Sequence, residues 1–221
     1  MSMIHVYYRT KLSLFALLAA TACSAAPGDT AANASETAAP APEVSSAPAS
    51  SAPAAAPATG KITLSPPADA AAIDQGRQAA EAAGMTDVSV TEAQSFRLLA
   101  GTEHVATIVA GEGKEADAIN AGCFVALVQD GNASVVPTMG SGEWEAQTCL
   151  ATKALGLLSS EGTVRIGVIY DGASPNASGT EPIVLVWDRA GGTLRIDEAA
   201  SKRASLAGAS TIKALRTAAV Q

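Results

Sequence analysis

Residues 123–137 read Cys-Phe-Val-Ala-Leu-Val-Gln-Asp-Gly-Asn-Ala-Ser-Val-Val-Pro. Two short apolar runs with β-branched side chains, 123–129 and 133–137, flank Asp130-Gly131. An Asp-Gly pair tolerates the positive φ that a two-residue hairpin turn demands, so the stretch predicts two antiparallel strands. Working outward, 105–110 is a third apolar run of the same kind. Residues 164–170, 183–187 and 193–196 make a second group, with Gly191-Gly192 marking a tight turn.

Helices are expected between and around these groups. Residues 69–83 are rich in Ala, Gln and Glu and stop at Gly84, which predicts a weakly packed helix with a glycine cap. Thr91-Glu92-Ala93-Gln94 matches a capping box and predicts a short helix carrying Phe96, Leu98 and Leu99 to Gly101. Trp144, Thr148, Ala151, Leu155 and Leu158 fall at spacings of 4, 3, 4 and 3, which predicts a helix with one apolar stripe. Glu143 and Glu145 would favour its first turn through the helix dipole. Residues 198–206 and 210–220 are expected to close the chain as helices, the second turning Ile212 and Leu215 inward. Strands separated mostly by turns argue for an α+β fold. The expected form is one domain, a mainly antiparallel sheet of about five to six strands packed by helices.

Composition sets the size of that domain. The chain has 221 residues, 48% of them nominally hydrophobic but only 4% aromatic. Fifty are Ala, whose methyl groups fill a core poorly. From Lys61 onward there are 43 apolar residues other than Ala, 30 of them within 105–196. That supports one compact core and excludes a polytopic membrane protein or a large multidomain enzyme.

The first sixty residues have a different character. Arg9 and Lys11 precede an apolar run at 12–20 that leads into Ala20-Thr21-Ala22-Cys23. A basic start, a short apolar stretch and small residues before a cleavage point describe a secretory signal over residues 1–22. The run is about half of the roughly 20 apolar residues needed to cross a bilayer. Small residues directly before a cysteine resemble the lipobox of bacterial lipoprotein precursors, with Ala20 standing where Leu is usual. The resemblance implies that Cys23 is diacylated on sulfur and becomes the mature N-terminus. It also implies that Ser24, in place of Asp, favours the outer membrane if the envelope is Gram-negative. Ordinary signal cleavage nearby is the competing reading.

Residues 24–59 contain 15 Ala, 6 Pro, 6 Ser and 3 Thr with no Lys, Arg or aromatic, too little apolar surface to offset ordering entropy. Residues 23–60 are therefore expected to be a lipid-anchored disordered linker. Extended at about 3.1 Å per residue it would reach about 110 Å. The single domain then occupies 61–221.

Candidate chemistry within the domain is sparse. Cys123 and Cys149 are its only cysteines, and in an exported protein such a pair predicts a disulfide, here from a strand to the expected 144–158 helix. A free thiol or a metal pair are the alternatives, and neither has a nearby His. His104 is the only histidine after the signal, so a Ser-His-Asp, Cys-His or metal-dependent hydrolase would have to use it. No motif surrounds it. Residues 111–114 lack the rest of a phosphate-binding loop, and the acids at 112–117 fit no EF-hand. No cofactor is implied.

Residues 171–181 read Asp-Gly-Ala-Ser-Pro-Asn-Ala-Ser-Gly-Thr-Glu between two apolar strands. Eleven residues exceed what a hairpin needs, and recognition tends to sit on long polar loops. Tyr170, Asp171, Asn176, Glu181 and Trp187 are its candidate recognition residues. The alternative is a tolerated insertion with both aromatics in the core.

Charge divides along the chain. Residues 61–188 carry 6 basic and 16 acidic side chains, while 189–221 carry 6 basic and 2 acidic. An acidic body argues against nucleic acid as partner. The expected function is a non-catalytic binding module of the cell envelope, with an envelope or extracellular protein as partner. The alternatives are an inhibitor of a hydrolase such as a lysozyme, or a hydrolase acting through carboxylates or through a metal involving His104.

Overall fold

The computed structural model describes residues 60–219, so the signal sequence, Cys23 and nearly all of the linker lie outside the described residues. The strands are β1 Ile62–Ser65, β2 Met85–Val90, β3 Phe96–Ala100, β4 Glu103–Glu115, β5 Gly122–Gln129 and β6 Asn132–Pro137. They continue with β7 Thr148–Ser159, β8 Val164–Ser174, β9 Ala177–Asp188 and β10 Thr193–Ile196. The helices are α1 Ala70–Ala82, α2 Glu198–Leu206 and α3 Ile212–Ala219. The α+β class and the antiparallel pairing hold. The strands are divided, however, between two sheets of six and four rather than gathered in one.

The first sheet runs β1-β3-β4-β5-β6, with β2 joined to the far half of β4. β4 is long enough to pair β3 through 103–108 and β2 through 111–115, while β5 lines its other edge. The second sheet runs β10-β9-β8-β7. The two sheets pack face to face over a core that includes Ile108, Val125 and Leu127 from one side and Ile166, Val168, Ile183 and Leu185 from the other. α1 covers the outside of the first sheet, where Ala72 and Ala80 meet Val109, Phe124 and Ala126. α2 and α3 cover the outside of the second, where Ala200, Ala204 and Leu215 meet Ile169 and Val184. Strands buried on both faces explain why β5, β8 and β9 read as unbroken apolar runs instead of alternating ones.

The 123–137 hairpin forms as expected, with Asp130 at φ 51° and Gly131 at φ 75° closing the Gln129–Asn132 pair. The 69–83 helix also forms, and Gly84 follows it at φ 92°.

Three local expectations are corrected. The capping box at 91–94 makes only a single 3-10 turn, and Phe96–Ala100 is β3. Thr91 caps nothing with its side chain, and the Gln94 carboxamide instead accepts the Leu155 N–H at 2.8 Å. The predicted 144–158 helix is a 3-10 turn at Gly142–Trp144 followed by β7. β7 carries three register irregularities, each inserting a residue, so apart from Gly156 its buried positions fall at 149, 152, 155 and 158. A bulged strand with burial at every third residue imitates a helical stripe.

The third correction concerns 171–181, which is not a loop. β8 and β9 stay paired as far as Ser174–Ala177, leaving Pro175-Asn176 as a two-residue tip. Neither tip residue has positive φ, and Pro175 brings the φ that the first central position of a type I turn takes. Sequence pattern misses the pairing because Gly, Ser and Ala carry no apolar alternation.

Candidate functional site: the cleft around Glu181

The end of the sandwich that carries the hairpin tip is built by the 138–147 connection between β6 and β7. Thr138 anchors its start. The Thr138 hydroxyl donates to the Cys123 carbonyl at 2.8 Å, so the phenol of Tyr170, 2.9 Å away, donates to Thr138 in turn. Tyr170 is completely buried, and burial pushes its ionisation well above the ordinary phenol range. Gly140 follows at φ 86° with its backbone against Gly122, where a side chain would meet the Gly122 Cα at 2.7 Å. The chain then turns through Gly142–Trp144 and enters β7 at the disulfide.

Cys123 and Cys149 are bonded, with Cα atoms 5.7 Å apart and both side chains in the core. The bond joins one sheet to the other, not a sheet to a helix. It locks the base of the 138–147 connection in place.

Glu181 is the hub of this end. Its Oε1 accepts the Trp144 indole N–H at 3.0 Å, and its Oε2 accepts the Ser205 hydroxyl at 3.2 Å. One carboxylate thus ties β9 to the 142–144 turn and to α2. It lies in a cleft of about 460 Å³ whose walls include Glu143, Trp144, Gln147, Glu198 and Lys202. A smaller recess of about 190 Å³ over the hairpin shares Gln147 and Glu181. A third cleft, about 520 Å³, lies along the other side of the connection and is lined by Glu115, Asp117, Ile119 and Glu145. Ile119 is 93% exposed there.

The predicted recognition residues separate into two groups. Glu181 lines the cleft, Asn176 is exposed at the tip, and Asp171 pairs with Lys153 of β7 at 3.1 Å. Tyr170 and Trp187 are core residues and flank no surface loop. The Trp187 indole donates to Gln129 at 3.2 Å near the opposite end of β9, with the Arg189 guanidinium 5.8 Å from its ring centroid. Trp144, Glu143, Glu198, Lys202 and Ser205 escape sequence reading as a site. They come from two elements about 55–60 positions apart whose meeting depends on how helices pack on a sheet.

Three carboxylates against one lysine make the cleft an acceptor-rich place. An ionised carboxylate offers about four lone-pair directions, of which Trp144 and Ser205 use two at Glu181. The remainder suit an N–H donor, above all a cationic one. Among the described residues no group of three or more His, Cys, Asp or Glu is arranged to hold a metal ion. His104 stands at the start of β4 with its Nε2 3.0 Å from the Thr107 hydroxyl and lines none of these clefts. Compared with known proteins, the chain matches no family model, no curated protein and no solved structure.

Proposed function

We propose that this protein is a non-catalytic binding module of the bacterial envelope, held by a lipid on Cys23 and by the 23–60 linker. Its cleft around Glu181 takes a cationic or N–H-donating group of a protein partner. The observation that carries this reading is the fixed carboxylate, with both oxygens held by Trp144 and Ser205 and lone pairs left over. The exposed hairpin tip beside it supplies an edge that a partner can grip. A protruding hairpin next to an acidic cleft also favours a second form of the same reading, an inhibitor of a basic hydrolase such as a lysozyme.

The test uses the mature chain carrying Cys23→Ser, titrated calorimetrically with hen lysozyme and with an arginine-containing peptide. Binding is expected to fall on Glu181→Gln, which keeps a hydrogen-bonding group but loses the charge. Replacing 173–178 with a minimal turn is expected to weaken the protein partner and spare the peptide. Equal affinity in all three proteins removes the cleft from the reading. Lipidation is checked separately by labelling cells with an alkynyl fatty acid, where the Cys23→Ser chain is expected to take up no label.

A further inference from the structure

Glu181 stands where two hollows meet, since the cleft beside α2 and the recess over the β8–β9 hairpin both have it in their lining. It is half-buried, so its carboxylate is at once gripped and reachable. The grip decides what it can take. Oε1 accepts one donor, the Trp144 indole, and Oε2 accepts one, the Ser205 hydroxyl. A carboxylate oxygen carries two lone pairs, so one is left on each oxygen. Two acceptor sites one on each oxygen match two parallel N–H groups, the fork of a guanidinium. An ammonium is a compact, strongly hydrated point charge and has no such fork. The holder is itself fixed: Trp144 is 8% exposed, its N–H donates to Ser141, and its carbonyl accepts from Gly140 and Gln147.

The rest of the lining suits the same group. Among the described residues, the side chains of Glu143, Gln147 and Glu198 have no hydrogen-bond or ion-pair partner. They offer acceptors for the three guanidinium N–H groups that Glu181 leaves over. Trp144 and Ala199 add apolar wall for a methylene stem. The recess supplies an independent sign. Gly179 lies inside β9, outside the left-handed region, with nothing within 4 Å of the point where a Cβ would stand. No turn or internal crowding requires glycine there, and a glycine within a strand marks a place where another backbone can come close. Its cross-strand partner is Gly172, and Ser174 opposite Ala177 continues the same low face. Gly179 and Glu181 are two residues apart on one face of β9, about 7 Å along the strand.

We propose that the element recognised at this site is an arginine of the partner protein, with its guanidinium forked onto both oxygens of Glu181 and its adjoining backbone laid over Gly179. The proposal rests on the reading of the Glu181 cleft as a binding site and adds two things to it. The cleft selects arginine over lysine, because only arginine meets both oxygens at once. The hairpin takes backbone rather than side chains, because its face beside Glu181 is built of glycine, alanine and serine. Charge agrees with the choice: one lysine, Lys202, faces three carboxylates in the cleft lining.

The experiment is a nitrogen-15 NMR titration of the mature Cys23→Ser chain, read at the indole N–H signals of Trp144 and Trp187, its two tryptophans. The probes are the acetylated amide of Gly-Gly-Arg-Gly, the same peptide with lysine in place of arginine, and acetylarginine amide. The arginine peptide is expected to shift Trp144, which bonds Glu181, and to leave Trp187 in place. The lysine peptide is expected to bind about tenfold more weakly, the equivalent of one charge-assisted hydrogen bond. Glu181→Gln, which has a single carbonyl oxygen, is expected to erase that difference. Gly179→Leu fills the recess from an exposed position, and is expected to weaken the arginine peptide severalfold while acetylarginine amide binds as before. Equal, Glu181-dependent affinity for the arginine and lysine peptides overturns the proposal and leaves the cleft standing as a cation site. Unchanged peptide affinity in Gly179→Leu overturns the seat proposed for the backbone. Shifts that persist alike in Glu181→Gln for every probe overturn the proposal together with the reading beneath it.

Discussion

Reducing the Cys123–Cys149 bond should destabilise the domain by an amount that follows from the chain it closes. The bond spans 26 residues and ties β5 to β7 across the sandwich. Loop-closure entropy for a ring of that size is worth about 3.5 kcal/mol at 25 °C. For a domain of this length, each kcal/mol moves the melting temperature by about 2–4 °C, so the expected fall is about 7–14 °C. The clean comparison is oxidised against reduced wild-type protein, refolded in each state and unfolded by heat and by urea. Reduction leaves side-chain volume almost unchanged, whereas a double Cys→Ala variant would add cavity terms at two buried sites. The urea slope should steepen as well, because the reduced unfolded chain exposes more surface. A fall of less than about 3 °C with an unchanged slope would refute the entropic reasoning. Two thiols alkylated in the unreduced native protein would refute the bond itself.

Other outcomes follow from single contacts. Gln94→Ala removes the acceptor of the Leu155 N–H and should cost about 1–3 kcal/mol by urea unfolding, with Gln94→Glu recovering most of it. A substitution that costs nothing would mean that this edge of β7 is open to water. Tyr170 is the only tyrosine beyond residue 22, so alkaline absorbance of the mature protein reports it alone. Its ionisation is raised above the ordinary value of 10.0 in the folded state, so the neutral phenol belongs to the fold. Stability from this group is complete below pH 10 and declines above it by about 1.4 kcal/mol per pH unit. Phenolate absorbance should therefore appear together with unfolding. A phenolate signal at pH 10–11 with the near-ultraviolet circular dichroism intact would show that the ring is not buried.

The fold was legible where one signal had one meaning. Asp130-Gly131 between β-branched runs specified a hairpin because few other structures use that turn pair. The helix ending at Gly84 was equally plain. The 144–158 stripe misled because bulges in β7 reset the strand's alternation to a cadence of three. Thr148, Cys149 and Thr152, poor helix formers, were the available contrary signal. The division into two sheets left its trace in the unbroken apolar runs, since only strands covered on both faces can afford no polar side. That trace gives no count of layers.

The candidate site was half legible. The polarity of 171–181 points to Glu181 and Asn176, whereas only proximity in sequence joins Tyr170 and Trp187 to them. Strand alternation accounts for them: Tyr170, Ile183, Leu185 and Trp187 all face the shared core. The spacing of 144–158 puts Trp144 on a helical stripe, whereas it ends a 3-10 turn ahead of β7 and packs in the shared core. Its bond to Glu181 spans 37 positions and arises from how the 142–144 turn folds over the sheet end, which no local pattern encodes.

The disulfide has a topological consequence for limited proteolysis. Backbone from Cys123 to Cys149, closed by the bond, is a covalent ring containing the β5–β6 hairpin and the Trp144 turn. A single cut anywhere inside that ring linearises it and releases nothing, so the nicked molecule keeps its mass until a reductant is added. A cut at the Ile119 loop, just outside the ring, severs the chain into two pieces held only by the sheets.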